Sequence, residues 1–144
     1  MKLTDCIPKH KTDEEAVKRA EAVGYPGINP ILPELLIWVQ DYNWPVAQDI
    51  APLLAKAGPE IAPHINEVLK SNDPEWKYWI LHVVAGSLKK AAWELIEAEV
   101  SRLAAAYPDI DVDEDVDPDK KVDLDEEVAR RAHELLREHA GSGA

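Results

Sequence analysis

At 144 residues, with 46% hydrophobic and 31% charged side chains, the chain has the size and balance of one globular domain with a real core. A formal net charge of −12 argues against unaided binding to nucleic-acid phosphates. The single cysteine, Cys6, excludes an intramolecular disulfide, and no apolar run approaches the length of a signal peptide core or a membrane span. These features predict a cytoplasmic monomer with no nucleic-acid or membrane partner.

Residues 1–11 read as irregular. Thr12-Asp13-Glu14-Glu15 has the pattern of a capping box, in which the Thr12 hydroxyl accepts from the Glu15 N–H; it predicts a helix to 23, stopped by Gly24. A second helix is expected over 28–41, with Pro30 and Pro33 in its early turns, where a missing N–H costs least. Asn43 is expected to cap a third helix that opens at Pro45 and closes near Gly58. Further helices are expected over 59–70, 74–85 and 88–106. Residues 108–123 form an acidic, proline-interrupted connector, and a last helix covers 125–139. Residues 1–140 are taken as one helical-repeat domain and 141–144, Gly-Ser-Gly-Ala, as a flexible tail.

The middle of the chain repeats itself 29 residues apart. Pro30 aligns with Pro59, Val39 with Val68, Asn43 with Asn72 and Pro45 with Pro74, and apolar positions between them mostly fall on apolar ones. Each unit reads as helix, Asn-containing turn, proline-initiated helix. A period of this length marks units that bury their apolar faces only against their neighbours. Leu32, Leu35, Leu36 and Val39 make one stripe of the second helix, and Ile31, Leu35, Trp38 and Tyr42 a second beside it, the wide apolar arc of a helix packed between others. With Pro33, Pro52 and Pro63 placed to bend their helices, the fold class expected is all-α, a short HEAT-like α-solenoid of about seven helices.

Ile7-Pro8-Lys9-His10-Lys11, Gly24-Tyr25-Pro26, the run from Pro30 to Leu36 with Trp38, the run from Gln40 to Ala47, and Trp76-Lys77-Tyr78-Trp79-Ile80-Leu81 together resemble the bacterial family of unknown function DUF5071. The resemblance covers about residues 5–100. It implies a short HEAT-like helical stack and supplies no reaction. Two departures stand out: Ile37 occupies a position where the pattern leads one to expect an acidic residue, and the aspartate-rich connector is longer than the pattern suggests.

Three constellations bear on chemistry. Trp38, Asp41, Asn43, Trp44, Trp76 and Tyr78 sit at or near corresponding turns of the two repeats, and stacked turns would gather them on one edge. Tryptophan supplies large rigid contact area and the neighbouring polar groups orient a ligand, so this edge is a candidate for recognising a protein or peptide. The bland alternative is that the tryptophans are core and Asn43 a cap. Tyr78 and His82, four apart on one helix face, with His64 on the preceding helix, are candidate acid–base groups, although no nucleophile or second carboxylate is tied to them by a known spacing. His10, His133 and His139 are expected in solvent, and Cys6 in packing. Asp115, Asp117, Asp119, Asp123 and Glu126 fall on positions 1, 3, 5, 9 and 12 of a twelve-residue calcium loop, but Lys120 stands where the sharp turn needs glycine and Pro118 interrupts the loop.

There is no phosphate-binding glycine loop, nucleophile elbow, C-x-x-C or H-E-x-x-H, and no cofactor is implied. The function the sequence favours is a small cytoplasmic adaptor that binds a protein or peptide through a Trp-lined repeat edge. The alternatives are an enzyme, natural or designed into this scaffold, with an acid–base histidine in a helical pocket, and a calcium-binding domain.

Overall fold

The computed structural model describes residues 2–114, 119, 121 and 123–142, and the side chains of all of these except 141 and 142. Among the described residues the secondary structure is entirely helical. Seven α-helices follow in order: α1 (Glu14–Val23), α2 (Leu32–Ile37), α3 (Pro45–Ala55), α4 (Ala62–Lys70), α5 (Pro74–Val83), α6 (Lys90–Ala105) and α7 (Leu124–Ser142). Short 3-10 turns occupy Leu3–Cys6, Asn29–Ile31, Pro59–Ile61 and Ala85–Ser87. No described helix is long and apolar enough to cross a membrane.

The helices touch in an alternating pattern. Contacts join α1 to α3, α3 to α5 and α5 to α7, and likewise α2 to α4 and α4 to α6. Contacts within α2–α3, α4–α5 and α6–α7 close the hairpins. The 29-residue period reappears in the starts of α3 at Pro45 and α5 at Pro74, while the 3-10 turns that precede α2 and α4 lie 30 residues apart. The stripe Leu32, Leu35, Leu36 and Val39 is fully buried and joins Ile50, Leu54, Ile65 and Ile80 in one core. Cys6 is wholly enclosed in that core.

Proline chemistry explains how two expected helices are divided. Pro33 has no N–H to give the Asn29 carbonyl four residues back, so that carbonyl takes the Leu32 N–H in a 3-10 bond and the α-helix begins afresh at Leu32. Pro63 does the same to Pro59, whose carbonyl takes the Ala62 N–H. The second helix is also shorter than the expected 28–41. Trp38, Val39 and Gln40 donate three residues back, to Leu35, Leu36 and Ile37, so the α-helix ends at Ile37.

Two caps differ from expectation. Asp13, not Thr12, caps α1, accepting the Ala16 N–H at 3.4 Å and the Lys9 N–H at 3.0 Å. A charged acceptor at a helix start is favoured over a hydroxyl, and those bonds, the Lys9 one foremost, hold the Asp13 carboxyl below its usual pKa. Thr12 hydrogen-bonds with His10 instead, at 3.0 Å. Asn43 does not cap α3; Trp44 occupies that position without a side-chain bond, and the Val46 N–H finds the Lys11 carbonyl at 3.1 Å. Gly24 closes α1 as expected, with φ of 64°.

The last helix is longer than expected and central to the packing. It runs to Ser142, so 141 and 142 are helical, while the remainder of the expected tail lies outside the described residues. Val128, Ala132 and Leu135 are buried against α5 and α6. Gly86 permits this approach, because a Cβ there would lie 3.0 Å from Arg131 Nη2 and 3.3 Å from Leu135 Cδ2.

Tyr25 ties the α1–α2 connection to the end of α3, its hydroxyl donating to the Leu53 carbonyl at 2.7 Å. Burial pushes its pKa up to about 12 from 10.0. A raised folded-state pKa means this stabilising contribution is complete below about pH 10 and is lost as pH rises through the folded value. Tyr25→Phe should cost about 1 kcal/mol in urea unfolding near neutral pH, and the wild-type advantage should shrink at strongly alkaline pH.

Candidate functional site

A hollow of about 270 Å³ opens between α2 and α4, with α5 closing one side. Pro33, Leu36 and Ile37 come from α2, His64, Glu67 and Val68 from α4, and Trp76 from α5. The proline-reset start of α2 and the i, i+3, i+4 spacing of helical side chains bring Pro33, Leu36 and Ile37 to one side of the helix. Trp76 is held by two bonds: its backbone N–H goes to the Asp73 carboxylate at 3.1 Å, and its indole N–H donates to the Leu36 carbonyl at 3.0 Å. Leu36 and Val68 are buried beneath, but Ile37 is 46% exposed at the mouth. Ile37, absent from both apolar stripes of its helix, is the residue that sequence reasoning passed over as a binding group. Its place off those stripes was the available signal.

The predicted edge residues are divided among several contacts. Trp38 and Trp44, both half-buried, meet edge-to-face with ring centroids 5.7 Å apart. Asp41 accepts the Asn43 N–H at 2.9 Å, a turn bond that leaves the Asn43 side chain exposed. Trp76 lies in the hollow. Tyr78 points into a different cluster, meeting Trp79 edge-to-face at 5.0 Å and His82 at a tilt at 4.2 Å, and Trp79 in turn meets Tyr42 at 5.4 Å. The fifth tryptophan, Trp93, is buried in α6 and stacked on His139 at 3.7 Å.

The acid–base trio is not assembled in one pocket. His64 lines the α2–α4 hollow, whereas His82 lines a separate depression with Tyr42, Lys56 and Ser87. The reason is helical phase: His64 shares its side of α4 with Glu67 and Val68, and His82 lies six residues beyond Trp76 on α5, on another face. Tyr78 and His82 do meet, as their i, i+4 spacing predicts. Two histidines expected in solvent are engaged: His133 Nε2 lies 2.9 Å from the Tyr107 carbonyl, and His139 packs on Trp93.

Of the calcium-loop residues, Asp115 and Asp117 lie outside the described residues, and Asp119 is exposed. Asp123 serves the start of α7, accepting the Asp125 N–H at 3.0 Å and the Glu126 N–H at 3.4 Å. Glu126 lies 3.7 Å from the Arg130 guanidinium. Among the described residues no group of three or more His, Cys, Asp or Glu side chains is placed to hold a metal ion.

The model of a family described as a domain of unknown function, DUF5071, matches residues 6–136. The chain belongs to that family. The match extends past the turn-borne motifs through the connector and most of α7, in keeping with the packing of α7 on α5 and α6. No curated protein matches the chain.

Two outcomes test this geometry. Trp76→Phe and Asp73→Ala should each cost about 1 kcal/mol in urea unfolding, the first by removing the indole bond to the Leu36 carbonyl and the second by removing the α5 cap. Packing around the His82 ring lowers its pKa from 6.5, the Arg131 guanidinium adds to that, and Glu134 opposes it. The unfolded chain then takes up the proton first, so stability present above about pH 6.5 is lost as pH falls through the folded value. The melting temperature should fall less on acidification in His82→Gln than in the wild type.

Proposed function

We propose, for this member of a family without an established activity, that the domain is a small cytoplasmic adaptor, a short HEAT-like stack that recognises a protein or peptide segment at its tryptophan-bearing edge, with the α2–α4 hollow as the contact point. Ile37 is the observation that carries this reading. Isolated exposed apolar residues are ordinary; this one borders an apolar hollow whose other wall is a hydrogen-bonded tryptophan. Burying an exposed isoleucine and the face of a rigid indole together is the chemistry of an interface anchor point. The hollow also falls just short of the roughly 300–1,000 Å³ typical of pockets that enclose a whole small ligand, which favours a single side chain presented by a partner.

A random peptide library displayed on phage and selected against the intact domain tests the proposal. Peptides should be enriched by the wild type and bind Ile37→Asp about tenfold or more weakly, since losing one anchor contact is worth roughly 1–3 kcal/mol. Failure to enrich any peptide over a blank surface, or equal binding to Ile37→Asp, overturns it.

A further inference from the structure

We infer that the segment taken by the α2–α4 groove is cationic: a large apolar side chain flanked by lysine or arginine. This rests on the groove being a binding site, as proposed above, and adds the chemistry of its occupant. Within residues 29–82, which build the groove, there are seven carboxylates against three lysines. The carboxylates that adjoin it are exposed. Glu67 lines the opening, Glu34 lies three residues before Ile37 on the same short helix, and Glu75 immediately precedes Trp76.

The neighbouring cations do not neutralise these groups. Lys70, one turn from Glu67, is drawn the other way, to Glu99 of α6 at 3.9 Å. Arg102, which bridges the same two helices, is engaged by Glu99 at 2.8 Å and the Leu69 carbonyl at 3.1 Å. Lys77, which follows Trp76, is the remaining lysine on α2, α4 or α5; it pairs with none of the three glutamates and leaves the rim net acidic, three carboxylates to one lysine. Among the described residues, Glu34, Glu67 and Glu75 have no ion-pair partner, in contrast to the glutamates of α7, where Glu126 and Glu127 pair with Arg130 and Glu134 and Glu138 with Arg131. An apolar floor inside a net acidic rim repels anionic and attracts cationic segments, and the rim charges set which partner is admitted while the apolar contact holds it.

Three synthetic peptides of equal length decide the matter, with binding to the full chain read by tryptophan fluorescence and calorimetry. One is a Leu–Lys amphipathic sequence, one replaces every lysine by glutamate, and one replaces every leucine by serine. The Leu–Lys peptide should bind, weaken with added salt, and weaken about fivefold on Glu67→Lys, the loss expected when an exposed pair becomes a repulsion. Ile37→Asp should abolish its binding, and both variants should keep the wild-type melting transition. Equal binding of the Leu–Glu peptide would overturn the cationic assignment while leaving the groove reading intact. Equal binding of the Ser–Lys peptide would show general attraction to an acidic chain and overturn the inference. Binding of none of the three, in a protein whose phage selection still yields Ile37-dependent peptides, would overturn the inference alone; binding of none with no such peptides overturns both.

Discussion

The carbonyl groups at the ends of short helices need hydrogen-bond donors, and this fold supplies them from elsewhere in the chain. The only left-handed residue among those described is Gly24, so a glycine C-cap serves α1 alone. At the end of α2 the donor is the Trp76 indole, at the end of α3 the Tyr25 hydroxyl, at the end of α4 the Arg102 guanidinium, and just past α6 the His133 ring, placed against the Tyr107 carbonyl. These links span 26 to 40 residues. Two of them coincide with a tightening of the helix: Gln40 bonds to Ile37 rather than Leu36, and Ala57 to Leu54 rather than Leu53, so the Leu36 and Leu53 carbonyls take 3-10 bonds from Val39 and Lys56 and keep a second lone pair for the aromatic donor. Each bond contributes about 1 kcal/mol net, and at Leu36, Leu53 and Tyr107 it fills the second lone pair of a carbonyl that already accepts a backbone N–H.

The groove is a consequence of this constraint. Trp76 has to reach across from α5 to the end of α2, and in doing so it stands as a wall over the gap between α2 and α4. Because the indole N–H is occupied, the ring is fixed in direction, and its apolar face is what remains for contact. Ile37, the last residue of α2, follows immediately after the carbonyl that Trp76 caps. The element that closes the helix therefore also shapes the hollow, and a partner meets a surface already ordered by folding, which lowers the entropic cost of binding.

Charge is distributed unevenly over this frame. Arg130 and Arg131 pair within α7, and Arg130 and Arg137 reach the connector at the Asp111 carbonyl and the Asp113 carboxylate. Surface pairs of this kind add little stability each; their effect is to engage the glutamates of α7 locally, although the C-terminal part stays acidic as a whole. In the repeat region Glu34, Glu67 and Glu75 have no such partner among the described residues, and they lie where the apolar hollow opens.

Much of the architecture was legible in the amino-acid order. Apolar periodicity, the 29-residue repeat, Gly24 and the prolines determined an all-α chain and placed the starts of α3 and α5 correctly, because these are local effects of sterics and missing N–H groups. The buried stripe of α2 followed from its spacing. Tertiary structure decided the rest. It ended α2 at Ile37, since the competing donor lies 40 residues away. It divided the expected tryptophan edge into a Trp38–Trp44 pair, a groove-lining Trp76 and a Tyr78–Trp79–His82 cluster, since a residue's direction depends on the phase of its own helix and on which neighbour fills the space beside it. It separated His64 from His82 for the same reason. Helix type is written in short-range pattern, whereas which faces are left open depends on contacts between segments far apart in the chain.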